Sequence, residues 1–270
     1  MVVFPTAKIN FGLNIVSRRE DGYHEIESIF YPIGISDALE INPAQEQTSI
    51  SFHGRTIPGN AEDNLILKAW NILRERYSLP EISIQLVKNI PMGGGIGGGS
   101  ADCGFFINLV NETFDLQLTV EEREHIAGKL GSDCPFFIRN LPSYVSGRGE
   151  LLQPVTPFLS GYYLVLVYGD LHISTKEAYS GISPKRSGQY LWEIMNEAPE
   201  NWKKLVKNDF EPVVFAKHPA LREIKNNLYA AGAVYASLTG TGSCVYGLFK
   251  EDPGALKSLG DKVCWRGWMG

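Results

Sequence analysis

The run Pro91-Met92-Gly93-Gly94-Gly95-Ile96-Gly97-Gly98-Gly99-Ser100 holds six glycines within positions 93–99. Glycine loses more conformational entropy on folding than any other residue, so such a run is poor material for regular structure. It lies between an alternating strand pattern and a helical pattern. In that setting successive backbone N–H groups can approach an anion closely, and the helix dipole adds to the attraction. The run therefore predicts a phosphate-binding loop.

Local patterns predict secondary structure on both sides of this loop. Ile82, Ile84 and Leu86 alternate with polar residues, which indicates a half-buried strand that leads into the loop. Apolar residues at helical spacing predict a helix over 64–77 before that strand. They predict another helix after the loop, with Ser100 as its N-cap.

Further elements follow from similar signals. Thr119 and Glu122 match a capping box, and the helix that they begin is predicted to end at Gly131. The remaining predictions are a strand over 35–42, a buried central strand over 162–168, helices over 202–214 and 220–231, and a strand-turn-strand over 237–249. Residues 180–203 are polar and mixed, which predicts a mobile surface segment.

The bulk composition limits the class of protein. The chain has 270 residues, is 44% hydrophobic and carries a formal net charge of −5, which argues against a nucleic-acid partner. None of the four cysteines lies in a C-x-x-C pair, and scattered thiols are typical of a cytoplasmic protein. The N-terminus lacks signal-peptide features, and no stretch approaches the 18 apolar residues of a membrane span.

Several classes of phosphate loop have distinct requirements. Gly93, Gly95 and Gly98 satisfy G-x-G-x-x-G, but no strand with a terminal acidic residue follows about 20 residues later, which disfavours a dinucleotide site. A Walker loop needs a lysine after its last glycine, and none follows Gly99. The hairpin and V-A-I-K strand of protein kinases are also absent. A dehydrogenase remains a weakened alternative.

Three separated motifs resemble those of the GHMP kinase family. They are Ala7-Lys8-Ile9-Asn10-Phe11-Gly12-Leu13, the glycine run, and Leu238-Thr239-Gly240-Thr241-Gly242-Ser243-Cys244. The chain departs from the family at Ala101, where many members carry a second serine. The resemblance implies an ATP-dependent small-molecule kinase whose ATP-binding residues are Pro91, Met92, Gly93, Gly94, Gly95, Ile96, Gly97, Gly98, Gly99, Ser100 and Ala101.

The resemblance also implies an architecture. It is a two-domain α+β fold, with an N-terminal nucleotide-binding domain over 1–150 and a C-terminal domain with a split β-α-β (ferredoxin-like) core over 151–270. Glycines and prolines between 147 and 160 interrupt the pattern near this boundary.

Three segments narrow the resemblance to kinases that act on a CDP-linked alcohol. They are residues 21–30, 131–135 and 208–211. The implied reaction is phosphorylation of the 2-hydroxyl of CDP-linked methylerythritol in the non-mevalonate isoprenoid pathway. Tyr23 and Phe30 offer flat faces for a cytosine ring, and His24 offers a nitrogen to the edge of the base. The resemblance implies these roles and places Tyr179 near the other face of the ring.

The resemblance assigns catalysis to two residues. A carboxylate can take the proton of an acceptor hydroxyl, and the family's catalytic aspartate corresponds to Asp133. Lys8 lies in an otherwise apolar stretch; beside Asp133 it would keep the carboxylate ionised and favour the forming alkoxide. Asn10, two residues along the same strand face, is expected to orient the substrate. Thr239 and Gly240 are expected to stabilise the nucleotide loop or to close over substrate phosphates.

The implied cosubstrate is ATP with Mg²⁺. Ser100 is a possible contact to phosphate or magnesium, and Asp102 is a weaker metal candidate. The expected partner is a small molecule, and the chain is expected to be a monomer or a homodimer. Two alternatives stay open: another GHMP kinase, acting on mevalonate, homoserine or a sugar, and a nucleotide-binding protein without catalysis.

Overall fold

The computed structural model describes residues 1–184 and 190–270. Residue contacts divide the chain into two compact units, each built from several segments. Unit 1 comprises Met1–Ala7, Ile35–Met92 and Gly97–Leu141, and unit 2 comprises Lys8–Gly34, Gly93–Ile96 and Pro142–Gly270. The predicted domain boundary at residue 150 stays a prediction.

The described elements are as follows. The strands are β1 (Val2–Val3), β2 (Thr6–Arg18), β3 (His24–Ser36), β4 (Ala38–Pro43), β5 (Ser49–Gly54), β6 (Ile82–Lys88), β7 (Ser143–Ser146), β8 (Leu151–Pro154), β9 (Tyr163–Val167), β10 (Tyr235–Leu238), β11 (Val245–Phe249) and β12 (Val263–Trp268). The helices are α1 (Leu65–Tyr77), α2 (Gly98–Thr113), α3 (Val120–Gly128), α4 (Phe136–Arg139), α5 (Thr175–Tyr179), α6 (Leu191–Ile194), α7 (Pro199–Leu205), α8 (Glu211–Lys217) and α9 (Pro219–Ala230), with short 3₁₀ turns at Ala61–Asp63 and Gly260–Lys262.

Unit 1 is built on a four-stranded sheet in the order β1-β4-β6-β5. β4 pairs antiparallel with β6, and β5 pairs parallel with its other edge. Burial alternates along β6, so Ile82, Ile84 and Leu86 face one side. There they join a core with Trp70 of α1 and Phe106 of α2. The predicted strand that leads into the glycine run is confirmed.

Two predicted helix starts in unit 1 are also confirmed. Asn64 caps α1, since its side chain accepts a hydrogen bond from the backbone N–H of Ile66 at 2.9 Å. Thr119 and Glu122 form the complete capping box at the start of α3. The prediction that α3 ends at Gly131 is wrong: the helix stops at Gly128, and a turn carries the chain on to Gly131.

The prediction that Ser100 caps α2 is wrong. The N-cap is Gly97, which has a φ of +73° and offers no side-chain cap, and the helix begins at Gly98. Ser100 therefore lies inside the first turn. A glycine can supply the left-handed conformation that turns the chain into the helix, so the glycine run extends into the helix instead of stopping before it.

The predicted strand over 35–42 is interrupted at Asp37, between β3 and β4. Its backbone N–H donates to the carbonyl of Pro5 at 2.9 Å. Its carboxylate accepts hydrogen bonds from the backbone N–H groups of Asn89 and Ile90 at 2.6 and 2.8 Å. Pairing with these distant groups, which no local pattern shows, accounts for the break.

Unit 2 contains two four-stranded sheets, in the orders β2-β3-β7-β8 and β10-β11-β9-β12. β9 and β10 both pair antiparallel with β11, so they run parallel to each other with one strand between them. The chain between β9 and β10 carries α5 to α9, which makes the expected split β-α-β core. β9 is fully buried and lies inside its sheet, as the apolar run over 162–168 predicted.

The predicted helix over 202–214 is two helices, α7 and α8. Val206 is extended, and residues 206–210 form a non-helical link. In that link Asn208 donates through its side chain to the carbonyls of Leu238 and Gly240 at 2.8 and 2.9 Å. The following helix, predicted over 220–231, is confirmed as α9, and the strand-turn-strand over 237–249 is confirmed as β10 and β11.

The polar segment 180–203 contains α6 and the first part of α7. Residues 185–189 lie outside the described part of the chain, so the predicted mobility is untested there. Among the described residues, no helix combines the length and the apolar character that a membrane span requires.

Candidate active site

The three sequence motifs meet in unit 2, around the centre of the glycine run. The backbone N–H of Lys8 donates to the carbonyl of Ile96 at 3.0 Å. The Thr239 hydroxyl donates to the carbonyl of Gly95 at 3.2 Å, and the N–H of Cys244 donates to that of Gly94 at 3.0 Å. Segments separated by more than 200 residues in sequence are thus joined at one loop.

This joining depends on two glycines. Gly95 has a φ of +73°, and a Cβ there would overlap the carbonyl oxygen of Thr239. Gly240 has a φ of +55°, and its Cβ would lie 2.8 Å from the carbonyl oxygen of Gly95. The backbone of each of the two loops occupies the space that a side chain on the other loop would need. The glycines at these positions are required for close approach as well as for their backbone angles.

Asn10 connects β2 to the Thr239 turn. Its backbone N–H donates to the Thr239 hydroxyl at 3.1 Å, and its Nδ2 donates to Oγ of Ser28 on β3 at 2.9 Å. Its Oδ1 accepts from Lys8 Nζ at 2.7 Å and lies 3.2 Å from the Thr239 hydroxyl, whose one proton is shared between this atom and the Gly95 carbonyl. Asn10 is buried, and these bonds fix the plane of its amide. Lys8 and Asn10 share a strand face, as predicted.

The Lys8 ammonium is held in a defined place. Only 3% of the residue is exposed, and Nζ lies 4.1 Å from the centroid of the Phe30 ring. A cation over an aromatic face is attracted by the ring quadrupole, and the attraction grows when water is excluded. Phe30 is itself buried, so the structure shows it supporting Lys8. Its proposed contact with a cytosine ring stays a prediction.

Tyr23 and His24 follow a tight turn at Asp21 and Gly22. Tyr23 is 56% exposed, and the Arg148 guanidinium lies 4.9 Å from its ring centroid. His24 is half-buried at the start of β3. Burial, with a smaller contribution from the charge of Arg18, lowers the pKa of His24. The imidazole is therefore neutral near pH 7 and can donate from one ring nitrogen and accept at the other.

Tyr179, which the resemblance places near the cytosine ring, lies beside His24. The two rings stack with centroids 4.5 Å apart and planes 23° apart. Tyr179 also meets the Phe210 ring edge-on at 4.9 Å. The structure therefore brings together two of the residues assigned to the base. At this spacing the rings touch each other, so a base between them would require them to separate.

Asp133 and Ser100 belong to unit 1. Asp133 lies half-buried in the turn between α3 and α4. The next residue, Cys134, has a lowered pKa, mainly because the Cys103 thiol donates a hydrogen bond to it; burial opposes this, and a hydrogen bond with the Ser100 hydroxyl adds to it. The first turn of α2 is thus adjacent to the turn that carries Asp133.

Unit 1 also contains a cavity of about 390 Å³. Phe52, Ile57 and Leu65 contribute apolar surface, and Met92 and Gly99 of the glycine run line it as well. An apolar cavity with a few polar groups is typical of a small-molecule site. The lining comes from two stretches of the chain, residues 52–65 and residues 88–102.

At its polar end the cavity is lined by Lys88 and Asp102, which belong to a buried ion network. Lys88 Nζ forms an ion pair with Asp37, and another with Asp102 Oδ2 at 2.6 Å. Burial raises the pKa of Asp102 to about 7; the Lys88 charge opposes the rise and the Asp37 charge adds to it. Sequence reasoning missed this network, because Asp37 lies 51 residues and Asp102 14 residues from Lys88.

The residues near the loop offer few protein ligands for magnesium. Within the described ranges, no group of three His, Cys, Asp or Glu side chains is arranged to hold a metal. Asp102, the weaker candidate, already faces the Lys88 ammonium, which would repel a cation. The Ser100 hydroxyl is compatible with an ion held mainly by phosphate oxygens and water, which is the usual mode for Mg²⁺.

Two family models match separate segments of the chain. The family model for the GHMP kinases N terminal domain matches residues 64–140, and that for the GHMP kinases C terminal matches residues 190–264.

Similar proteins cover all or nearly all of the chain. A 4-diphosphocytidyl-2-C-methyl-D-erythritol kinase of Parabacteroides distasonis is 47% identical, with 100% of both chains covered. One of Bacteroides fragilis is 46% identical, with 93% of each covered. A crystal structure of 4-(cytidine 5'-diphospho)-2C-methyl-D-erythritol kinase superposes with a TM-score of 0.84 at 27% identity, with full coverage of both chains.

Proposed function

Because this chain belongs to the GHMP kinase family and aligns over its full length with 4-diphosphocytidyl-2-C-methyl-D-erythritol kinases, we propose that it phosphorylates that CDP-linked alcohol with ATP. The γ-phosphoryl group passes to the 2-hydroxyl oxygen, giving ADP and the 2-phosphate, as a step of the non-mevalonate isoprenoid pathway. The single observation that carries the proposal is the meeting of the three motifs at Gly94–Ile96.

The glycine run supplies a cradle for the triphosphate. Hydrogen bonds from Lys8, Thr239 and Cys244 engage the carbonyls of residues 94–96. With the carbonyls held by protein donors, the N–H groups of the run are left to face an anion, and the N-terminus of α2 adds its dipole. Magnesium, when bound, would neutralise phosphate charge, with Ser100 as the protein group available to it.

The adenine base is assigned to the cavity of unit 1. Its apolar surface suits a purine, and Met92 and Gly99 connect it to the two ends of the glycine run. The volume of about 390 Å³ lies within the range of small-molecule sites.

Asp133 is proposed as the base that takes the proton of the acceptor hydroxyl. Lys8 is proposed to stabilise the negative charge that develops during transfer. The structure supports a fixed role for Lys8, because Asn10 and Phe30 hold its ammonium in one position. A positioned charge is effective because it needs no reorganisation during the reaction.

The cytidine end is assigned to Tyr23, His24 and Tyr179. The stacked pair of His24 and Tyr179 presents an aromatic surface, and the exposed Tyr23 ring is close in sequence. A neutral imidazole can bond to the edge of the base, which matches the lowered pKa of His24. We further propose a cytoplasmic location, which the scattered cysteines support, and a monomer or homodimer.

Coupled ATP turnover tests the proposal. The purified chain is given CDP-linked methylerythritol, mevalonate and homoserine in parallel, and ADP release is followed. Turnover with the CDP-linked alcohol alone is expected. Turnover of mevalonate or homoserine, with no turnover of the CDP-linked alcohol, would show that the substrate is a different one. Binding of NADH with no binding of ATP would show that the protein is not a kinase.

A further inference from the structure

The ion network at the cavity leaves one carboxyl oxygen unpaired among the described residues. Asp37 accepts from two backbone N–H groups and from Lys88, so both its oxygens are engaged. Asp102 Oδ2 accepts from Lys88 at 2.6 Å, but Oδ1 has no hydrogen-bond partner among the described residues. Two other buried side-chain atoms in the described ranges lack a hydrogen-bond partner. They are Nε1 of Trp202 and the hydroxyl oxygen of Tyr235, and both groups are uncharged.

An unpaired carboxylate oxygen in this position is costly to the protein alone. Only 4% of the surface of Asp102 is exposed, and the residue lines the cavity. Buried polar atoms in native structures almost always have partners, and an exception calls for a specific cause. The χ2 torsion of aspartate is broad, so the carboxyl group has freedom to adjust to a ligand in the cavity that the residue lines.

We infer that Asp102 is a specificity residue for the nucleotide, accepting a hydrogen bond from a donor group of ATP. The chemistry required is an N–H or O–H, which ATP offers as the exocyclic amine of the base and as the ribose hydroxyls. A divalent cation does not fit, because the Lys88 ammonium lies beside the same carboxylate. The inference rests on the proposed function only for the choice of ATP as occupant.

Because Asp102 already contacts Lys88, the orientation of an amide at position 102 can be predicted. In Asp102→Asn, the amide oxygen must face the Lys88 ammonium, so the NH₂ group takes the place of Oδ1. The acceptor that faces the ligand becomes a donor, with almost no change in volume. Asp102→Leu removes both functions in a similar shape, and Glu112→Gln, on the exposed end of the same helix, is the matched control.

The experiment measures dissociation constants by calorimetry, without the acceptor alcohol, for four nucleotides. They are ATP, inosine triphosphate (which carries O6 in place of the amine), 2′-deoxyATP and 3′-deoxyATP. The wild-type protein is expected to bind one of the three analogues about 10- to 100-fold more weakly than ATP, and Asp102→Leu is expected to bind that analogue and ATP alike.

The variants distinguish the donor. If the amine is the donor, Asp102→Asn should reverse the preference between ATP and inosine triphosphate. If a hydroxyl is the donor, Asp102→Asn should show the same ratio of dissociation constants for ATP and inosine triphosphate as the wild type. For the deoxy analogue that lacks this hydroxyl, the loss of affinity relative to ATP should be smaller than in the wild type, or absent as in Asp102→Leu. Glu112→Gln should reproduce the wild-type constants.

Two outcomes would overturn the inference. One is a wild-type protein that binds all four nucleotides equally, a result that needs no variant to fold. The other is an equal loss for every nucleotide in Asp102→Asn, which would make Asp102 a support for Lys88 only. Absence of turnover in the presence of normal ATP binding would count against the proposed acceptor and leave this test intact.

Discussion

Lys8 illustrates how single residues are fixed in this protein. A buried ammonium is costly unless its charge is balanced or solvated by the protein. Here the amide oxygen of Asn10 and the face of Phe30 take that role, and both partners are themselves buried. The consequence is a cation with little freedom to move, which suits the stabilisation of charge at one place.

Replacing Asp133 with asparagine should separate binding from chemistry. The amide keeps the shape of the side chain but cannot take a proton, so turnover should fall by about 100-fold or more, while ATP binding stays nearly unchanged. Steady-state kinetics and calorimetry measure the two quantities. Asp115→Asn, at an exposed turn aspartate, is the control and should match the wild type. Wild-type turnover in Asp133→Asn would remove this residue from the mechanism.

His24→Ala should weaken the CDP-linked substrate and spare ATP. Loss of one hydrogen bond and of the stack with Tyr179 should raise KM for that substrate by about 10-fold. His125→Ala, on the exposed face of α3, should change neither constant. Equal losses for both substrates would argue against a role specific to cytidine.

The same histidine predicts a pH dependence. Because burial lowers its pKa from the usual value of about 6.5, more than half of the imidazole is still neutral at that pH, and charging is completed at lower pH. If the neutral ring binds the base, KM for the CDP-linked substrate should change little between pH 8 and 7 and rise as the pH falls through and below about 6.5. A profile for His24→Ala with the same rise would assign the effect to another group.

Among the structural elements, the glycine run tolerates substitution unevenly. Gly95→Ala places a Cβ in a left-handed conformation against the Thr239 carbonyl and should reduce the free energy of unfolding by at least about 2 kcal/mol. Gly99→Ala lies in the first turn of α2 with open space around it and should stay within about 1 kcal/mol of the wild type. Urea denaturation measures both, and equal stabilities would contradict the packing described for Gly95.

Lys88 joins three elements, since its partners lie at the junction of β3 and β4 and on α2. Lys88→Met leaves two buried carboxylates without a counter-charge and should lower the free energy of unfolding by about 3–5 kcal/mol. Lys68→Met removes the exposed pair with Asp63 and should cost at most about 1 kcal/mol. Comparable losses in the two variants, by denaturant titration, would show that the buried network is not stabilising as described.

Elements fixed by local signals could be predicted from sequence. The cap at Asn64, the capping box at Thr119 and the alternation along β6 depend on neighbours within a few residues. The errors arise where distant partners decide. Asn208 breaks a helical pattern because Leu238 and Gly240 offer it carbonyls, and Asp37 interrupts a strand because Asn89 and Ile90 offer it N–H groups.

The candidate site follows the same division. The glycine run and the motifs around Lys8 and Thr239 are recognisable as sequence patterns, and the structure joins them. The network of Asp37, Lys88 and Asp102 has no local pattern, because a lysine at the end of a strand gives no sign of carboxylates 51 and 14 residues away. The one signal in the sequence was the position of Lys88, which the alternation along β6 places among the buried residues.

For the whole molecule, neither unit is a continuous piece of sequence. The core of unit 2 combines Leu13, Ile15 and Ile26 with residues between 163 and 263, and β8 pairs with β7 across position 150. A fragment of residues 151–270 would lose those side chains and the partner of β8. We expect it to unfold without cooperativity, as measured by thermal circular dichroism.

Co-expression supplies the control for this prediction. A chain cut between Glu150 and Leu151 keeps every residue of both units and severs only the connection between β7 and β8. The two pieces produced together should associate and melt cooperatively. Cooperative melting of 151–270 alone would show that the C-terminal segment folds independently.

The interlocked backbones of Gly95 and Gly240 also bear on how this sequence can evolve. Each glycine leaves room for the carbonyl of the other's segment, so a side chain acquired at either one displaces the other loop. A side chain gained at one position cannot be accommodated by a smaller residue at the other, because the other position is already glycine. Across lineages the two sites should be invariant together, and a homologue that has lost one of them should also have abandoned the bond between the two loops.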